Sequence, residues 1–169
     1  MTPFVSNGQK KWSYGGNVDY NFSTKGFGLG ARASYKFTNQ ISANPQIQYF
    51  PILNSIHESY LGANLHYAII KSEKEHPDTH ILKPSNTKVE VYAIAGAAFN
   101  YWFNASAFPQ GNRNTIIPLV GIGASKGKPE KRYFIEAKYN LLWNEPTVSI
   151  GLLLSPKKTQ SNSNPCFNN

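Results

Sequence analysis

The sequence predicts an all-β protein, an eight-stranded antiparallel up-and-down transmembrane β-barrel, and three observations carry that prediction. Charged residues make up only 15% of the chain, against roughly 25% in soluble globular domains. Aromatic residues reach 14%, with ten Tyr and ten Phe. Apolar and polar residues alternate with period two through eight successive segments, the mark of strands with one greasy face. No run of about 18 apolar residues occurs, which excludes a transmembrane helix, and mean hydropathy is −0.42. Alternation dilutes the lipid face of a membrane barrel, so a negative mean is compatible with spanning. At 169 residues the chain is long enough for one barrel and too short for two ordinary domains.

The elements follow in order. The first strand places Trp12, Tyr14, Gly16, Val18, Tyr20 and Phe22 opposite Ser13, Gly15, Asn17, Asp19 and Asn21. The second sets Phe27, Leu29, Ala31, Ala33, Tyr35 and Phe37 against Gly28, Gly30, Arg32, Ser34 and Lys36. In the third, Ile41, Ala43, Pro45, Ile47 and Tyr49 oppose Ser42, Asn44, Gln46 and Gln48. The fourth runs Leu61, Ala63, Leu65, Tyr67 and Ile69 against Gly62, Asn64, His66 and Ala68. The fifth is long, with Val89 through Phe103 at odd positions opposing Glu90, Tyr92, Gly96 and Asn100. The sixth, Ile116 to Ala124, is apolar on both faces and gives the weakest pattern. The seventh has Tyr133, Ile135, Ala137, Tyr139, Leu141 and Trp143 against Glu136, Lys138 and Asn140. The eighth closes with Val148, Ile150, Leu152 and Leu154 against Thr147, Ser149 and Gly151.

Most segments approach the length of about 9–11 residues that a tilted strand needs to cross the hydrocarbon. Eight strands are the smallest usual number for closure, and closure removes edges that lipid could not satisfy. The polar face is mostly Gly, Ser, Asn and Gln, which suits a narrow filled interior better than a water-facing surface. On the apolar face, Trp12, Tyr14, Phe22, Phe27, Phe37, Tyr49, Tyr101, Phe103, Tyr133 and Trp143 concentrate near strand ends, as interfacial girdles require. The apolar face is therefore expected to look toward lipid.

On these features residues 12–154 resemble the small eight-stranded outer-membrane barrels of the OmpA, OmpX and OmpW kind. The resemblance lies in architecture and not in a diagnostic motif. It implies a barrel over 12–154, preceded by an N-terminal segment 1–11 and followed by a polar tail 155–169. That tail departs from family members that end on an aromatic residue closing the last strand. The resemblance implies location in a bacterial outer membrane with both termini in the periplasm, and hence export by a signal peptide, which residues 1–11 do not resemble. Links 23–26, 51–58, 104–115 and 144–146 would then lie outside, and links 38–40, 71–87 and 125–131 inside.

This placement sorts the charges. Arg32, Lys36 and Lys138 face Asp19, Glu90 and Glu136 in the lumen, an expected ion-pair network that also includes His66 and plugs the barrel. Lys25 and Arg113 balance Glu58 and Glu145 at the outer rim. The inner rim and tails hold the remaining cations, among them Lys71, Lys88 and Arg132, and carry the whole net charge of +8. Such a rim offers a surface to anionic lipid or an acidic partner. No basic helix or aromatic-studded groove points to nucleic acid.

Other chemical signals are weaker. His57 and Ser59 share a face in a pattern loosely similar to lipid-deacylating barrels, but Glu58 points away and no third group orients the pair. Glu73, Glu75, His76, Asp78 and His80 crowd one link, yet Pro77 breaks any regular spacing for a metal. Gly26, Gly28 and Gly30 fit a narrow lumen better than a nucleotide loop. Cys166 has no internal partner. No cofactor is expected. The sequence therefore leads to a non-enzymatic outer-membrane barrel contacting lipid and, through its basic rim and lipid-facing wall, other envelope proteins as a structural or accessory subunit. A narrow channel for small hydrophobic molecules and a lipid-modifying enzyme are the competing readings.

Overall fold

In the computed structural model, residues 12–53, 56–74, 87–103 and 114–156 are described. They form eight antiparallel strands: β1 Trp12–Asn21, β2 Gly26–Lys36, β3 Ile41–Leu53, β4 Ile56–Lys74, β5 Thr87–Phe103, β6 Asn114–Lys128, β7 Lys131–Asn140 and β8 Glu145–Leu154. Each strand pairs with its sequence neighbours, and β1 pairs with β8 from Tyr14↔Leu154 to Asn21↔Thr147, closing the barrel. The fold class is that expected from the alternation. The barrel end where β1 begins and β8 finishes is the terminal mouth, and the opposite end is the distal mouth.

Strand lengths differ from expectation. β4 has 19 residues, β5 17 and β6 15, so strand replaces parts of links 51–58, 71–87, 104–115 and 125–131. The tip segments 54–55, 75–86 and 104–113 lie outside the described residues. Alternating hydrophobicity is imposed only where a strand crosses lipid. Backbone pairing carries on into water with polar side chains, and there the sequence loses its rhythm. As a result the β4–β5 hairpin rises past the β2–β3 turn on the terminal side: Ile41, the first residue of β3, pairs with Tyr67, and β4 runs on to Lys74 opposite Thr87.

The register shifts between Ala68 and Ile70, where β4 gains one residue relative to β5. Such a bulge reverses the in–out phase of everything beyond it. Ile69 and Ile70 are consequently both exposed, and Lys71 comes opposite the lumen-facing Glu90.

Two hairpins at the distal mouth use the same turn device. Asn21 Oδ1 accepts hydrogen bonds from the backbone N–H groups of Ser23 and Thr24, and Asn140 Oδ1 from those of Leu142 and Trp143, all between 2.9 and 3.2 Å. Each turn ends on a left-handed residue, Lys25 (φ 54) or Asn144 (φ 55). β7 therefore stops at Asn140, and Trp143 belongs to a turn.

Burial follows the pleat. Val18, Leu29, Leu65, Ile116, Ile122, Ile135 and Ile150 are exposed on the outer wall, while Asn17, Asp19, Arg32, Asn44, Asn64, Asn100, Glu136 and Ser149 are buried inside. The molecule is polar within and apolar without, as in a protein dissolved in lipid.

Candidate functional site

The lumen has three layers. In the middle, Arg32 on β2 donates a forked pair of hydrogen bonds to Glu136 on β7, NH1 to Oε1 at 2.6 Å and NH2 to Oε2 at 2.9 Å. Both side chains are almost fully buried, at 1% and 0% exposure. Tyr92 donates its hydroxyl to the same carboxylate at 3.0 Å. The His66 ring stacks on Tyr92, and His66 Nε2 lies 3.8 Å from Glu136 Oε1. Phe134 places its ring 4.2 Å from the Arg32 guanidinium. Lys138 Nζ lies 3.8 Å from Glu136 and 4.0 Å from Asp19, and Asp19 accepts from Ser149 and Asn17. Two cations and two carboxylates thus neutralise one another where an unpaired charge would incur a penalty of several kcal/mol.

The strand pleat brings these groups together because Asp19, Arg32, Glu136 and Lys138 all fall on inward positions of their strands. Glycines make the room. A Cβ at Gly123 would stand 2.5 Å from the Tyr92 ring and 2.9 Å from Glu136 Cγ. One at Gly28 would stand 2.7 Å from Phe50.

The distal layer departs from the polar lumen that the sequence leads one to expect. Phe50, Tyr60, Ala98 and Ile117 form a buried apolar cluster, with Leu119 and Trp143 packed against it, and the Trp143 and Trp102 rings lie 6.0 Å apart. Trp143 therefore caps the lumen cluster and does not join the outer girdle. Glu58, assigned to the outer rim by its place in the sequence, is buried in the lumen and accepts a hydrogen bond from Tyr60 at 2.8 Å. Glu145 accepts one from Asn21 at 3.1 Å. The space beneath this cap is about 30 Å³, bordered by Phe50, Tyr60, Leu119 and Lys138, which is room for about two waters.

The terminal layer is open and basic. Glu90 on β5 is approached by Lys36 Nζ at 3.7 Å, Lys71 Nζ at 3.7 Å and Arg132 NH1 at 3.4 Å, cations contributed by three other strands. Glu90 and Lys36 thus belong to this mouth, apart from the buried centre, and Lys71 and Arg132 point into it instead of lying along the rim. Ser13 and Ser155 meet at 2.8 Å across the β1–β8 seam.

The remaining aromatics stay outside. Trp12, Tyr14, Phe37 and Tyr133 are exposed toward the terminal end, and Phe22, Phe27, Tyr49, Tyr101 and Phe103 toward the distal end. They pair along and across strands, as in Trp12–Tyr35 at 4.8 Å and Tyr101–Phe103 at 4.6 Å. His57 Nδ1 and the Tyr49 hydroxyl meet at 2.6 Å, so the imidazole engages Tyr49; Ser59 is paired in register with Tyr49 and Tyr101. Gly28 and Gly30 face the lumen beside Phe50 and Asn17. Glu75, His76, Asp78, His80, Arg113 and Cys166 lie outside the described residues, as does the side chain of Glu73.

The aromatic plug was missed because its members break the alternation by which strands are recognised. Phe50, Tyr60, Ile94, Ile117 and Phe134 are apolar residues at inward positions. The available signal was their spacing in phase with the polar residues.

No protein-family model matches the sequence, and no curated protein matches it. Among solved structures, the chain is similar to the N-terminal β-barrel domain of Pseudomonas aeruginosa OprF, with TM-score 0.62 and 13% identity over 86% of this chain and 97% of that one. It is also similar to a de novo designed transmembrane β-barrel, at TM-score 0.53 and 19% identity over 87% and 96% of the two chains. The designed barrel TMB2.3 gives TM-score 0.53 and 18% identity over 90% and 99%. At such identities the likeness concerns the fold: the chain has the architecture of a small eight-stranded transmembrane barrel, of the kind found among bacterial outer-membrane proteins.

Proposed function

We propose that the protein is a non-enzymatic barrel of a bacterial outer membrane that serves as a structural or accessory subunit of a larger envelope assembly. The observation that carries this reading is the filled lumen. The Arg32–Glu136 pair with Lys138 and Asp19 occupies its middle, and Phe50, Tyr60, Ile117 and Trp143 cover it on the distal side. A barrel of eight strands leaves little beyond side-chain volume inside, so conduction through the axis would require the whole network to part. What remains available to a partner is the outer wall, the β4–β5 hairpin and the cationic terminal mouth. In the orientation taken from OmpA-like barrels, the hairpin and the mouth face the periplasm, where they can meet other envelope components.

Extraction in a mild detergent followed by native electrophoresis tests the proposal. The expected result is a defined species larger than one 18.8 kDa chain in its micelle, together with silent planar-bilayer recordings. A monomer under all mild extraction conditions would contradict the subunit reading. Steady conductance that changes with substitution at Arg32 would favour the channel reading instead.

A further inference from the structure

Beyond its part in holding strands together, the terminal mouth has the build of a receptor for an anion. A cavity of about 390 Å³ opens there, lined by Lys36, Lys71, Lys88 and Arg132, with Glu90 the only carboxylate among its described lining residues. Lys88 is already engaged by a neighbour; Lys36, Lys71 and Arg132 against Glu90 leave the cavity two units positive. Three of the cations come within 3.4–3.7 Å of the Glu90 carboxylate. One carboxylate compensates one of them, so positive charge is gathered around the cavity well beyond what its internal counter-ion neutralises. The gathering is structural. Lys71 reaches the mouth because the bulge between Ala68 and Ile70 turns it inward, and Arg132 because it alternates with the outward Tyr133 on β7.

We infer that this mouth binds a phosphate group. Lys36, Lys71 and Arg132 arrive from β2, β4 and β7, and so surround the cavity instead of forming a flat patch. Encirclement by ammonium and guanidinium donors suits a tetrahedral dianion, and the Arg132 fork can engage two of its oxygens at once. Ser13, Ser125 and Asn39 line the same cavity and supply neutral donors for the remaining oxygens. The volume exceeds that of a bare phosphate and falls in the range of sites for small organic ligands, about 300–1,000 Å³. The ligand class is therefore a phosphate carrying a modest organic group. A soluble phosphomonoester and the phosphate of a phospholipid headgroup from the adjacent leaflet share this chemistry. Glu90 holds the cations in place and competes with the incoming anion.

The test is a titration of the full-length barrel in neutral-detergent micelles with inorganic phosphate and glycerol 3-phosphate at constant ionic strength, followed by ³¹P NMR. Acetate serves as the control anion. Saturable binding is expected for both phosphates. Lys71→Gln and Arg132→Gln should each weaken it by about fivefold, the order of one partly screened charge-assisted contact. Glu90→Gln should tighten it by a similar factor by removing the competitor. Heat-modifiable migration on gels confirms that each variant is folded. A parallel measurement in nanodiscs, with phosphatidylglycerol or phosphatidylcholine, identifies the source. Saturation by free glycerol 3-phosphate marks a soluble ligand, whereas Arg132-dependent ³¹P shifts of the lipid in the absence of free phosphate mark a headgroup. Non-saturable binding in both formats, acetate binding as tight as phosphate, or affinities unchanged by all three substitutions would overturn the proposal. None of these outcomes depends on whether the barrel belongs to a larger assembly.

Discussion

The buried carboxylate of Glu136 is the residue on which most of the lumen converges, with Arg32, Tyr92, His66 and Lys138 all within 4 Å. Removing one partner of a buried ion pair strands the other, which typically destabilises a protein by about 3–5 kcal/mol. Arg32→Met should therefore lower unfolding stability by about that amount, measured by guanidinium titration of the barrel in lipid vesicles. The double variant Arg32→Met/Glu136→Leu removes both charges and should recover much of the loss. A double variant as unstable as the sum of its single changes would show that the pair is not coupled. Parts of this network are legible in the sequence, because Asp19, Arg32, His66, Glu136 and Lys138 fall on the polar faces of their strands. Tyr92 also falls on the polar face of its strand, though nothing in the sequence ties it to Glu136, and Phe134 is not legible as a support. A Tyr or Phe at an inward position differs from an outward one only in phase, and the phase is certain only once the barrel is closed.

At the scale of single elements, the bulge in β4 decides which side chains reach the terminal mouth. Deleting Ile69 removes the extra residue and leaves Ile70 opposite Val91 and Lys71 opposite Glu90 in unbroken alternation. One alanine inserted after Ile70 instead shifts Lys71 by one position and should move it from the lumen to the outer wall. A thiol probe introduced at position 71, in a background with Cys166→Ser, should label alike in the parent and the deletion variant and differently in the insertion variant. Equal labelling in all three would show that the strand absorbs the insertion elsewhere. The paired distal turns make a second prediction. Asn21→Ala and Asn140→Ala each leave two turn N–H groups without their side-chain acceptor, and each should lower stability by about 1 kcal/mol in the same unfolding assay. The strand cores were readable because lipid imposes period two on them. The extensions of β4, β5 and β6 were not, since water outside the membrane accepts almost any polar sequence. Trp143 was misplaced for a related reason: an apolar residue two positions after Leu141 continues the rhythm on paper, while Asn140 has already turned the chain.

The whole molecule is organised around one inversion, polar groups enclosed and apolar groups displayed. A charge placed at mid-height on the outer wall should therefore be tolerated in water and resisted in a bilayer. Ile122 is exposed on β6, paired between Ala93 and Ala137, midway between the two aromatic belts. Ile122→Arg should lower stability in vesicles by about 2–4 kcal/mol, the penalty for an arginine at the bilayer midplane.

The most direct measurement is spin-label accessibility in liposomes, with single cysteines at Ile122, Ile135 and Leu65 in a Cys166→Ser background and a rim control at Lys128. High oxygen and low nickel-chelate collision rates at the three wall positions, with the reverse at Lys128, are the predicted result. Free access of the water-soluble nickel chelate to Ile122, Ile135 and Leu65 would mean that the wall faces water, and would contradict the account.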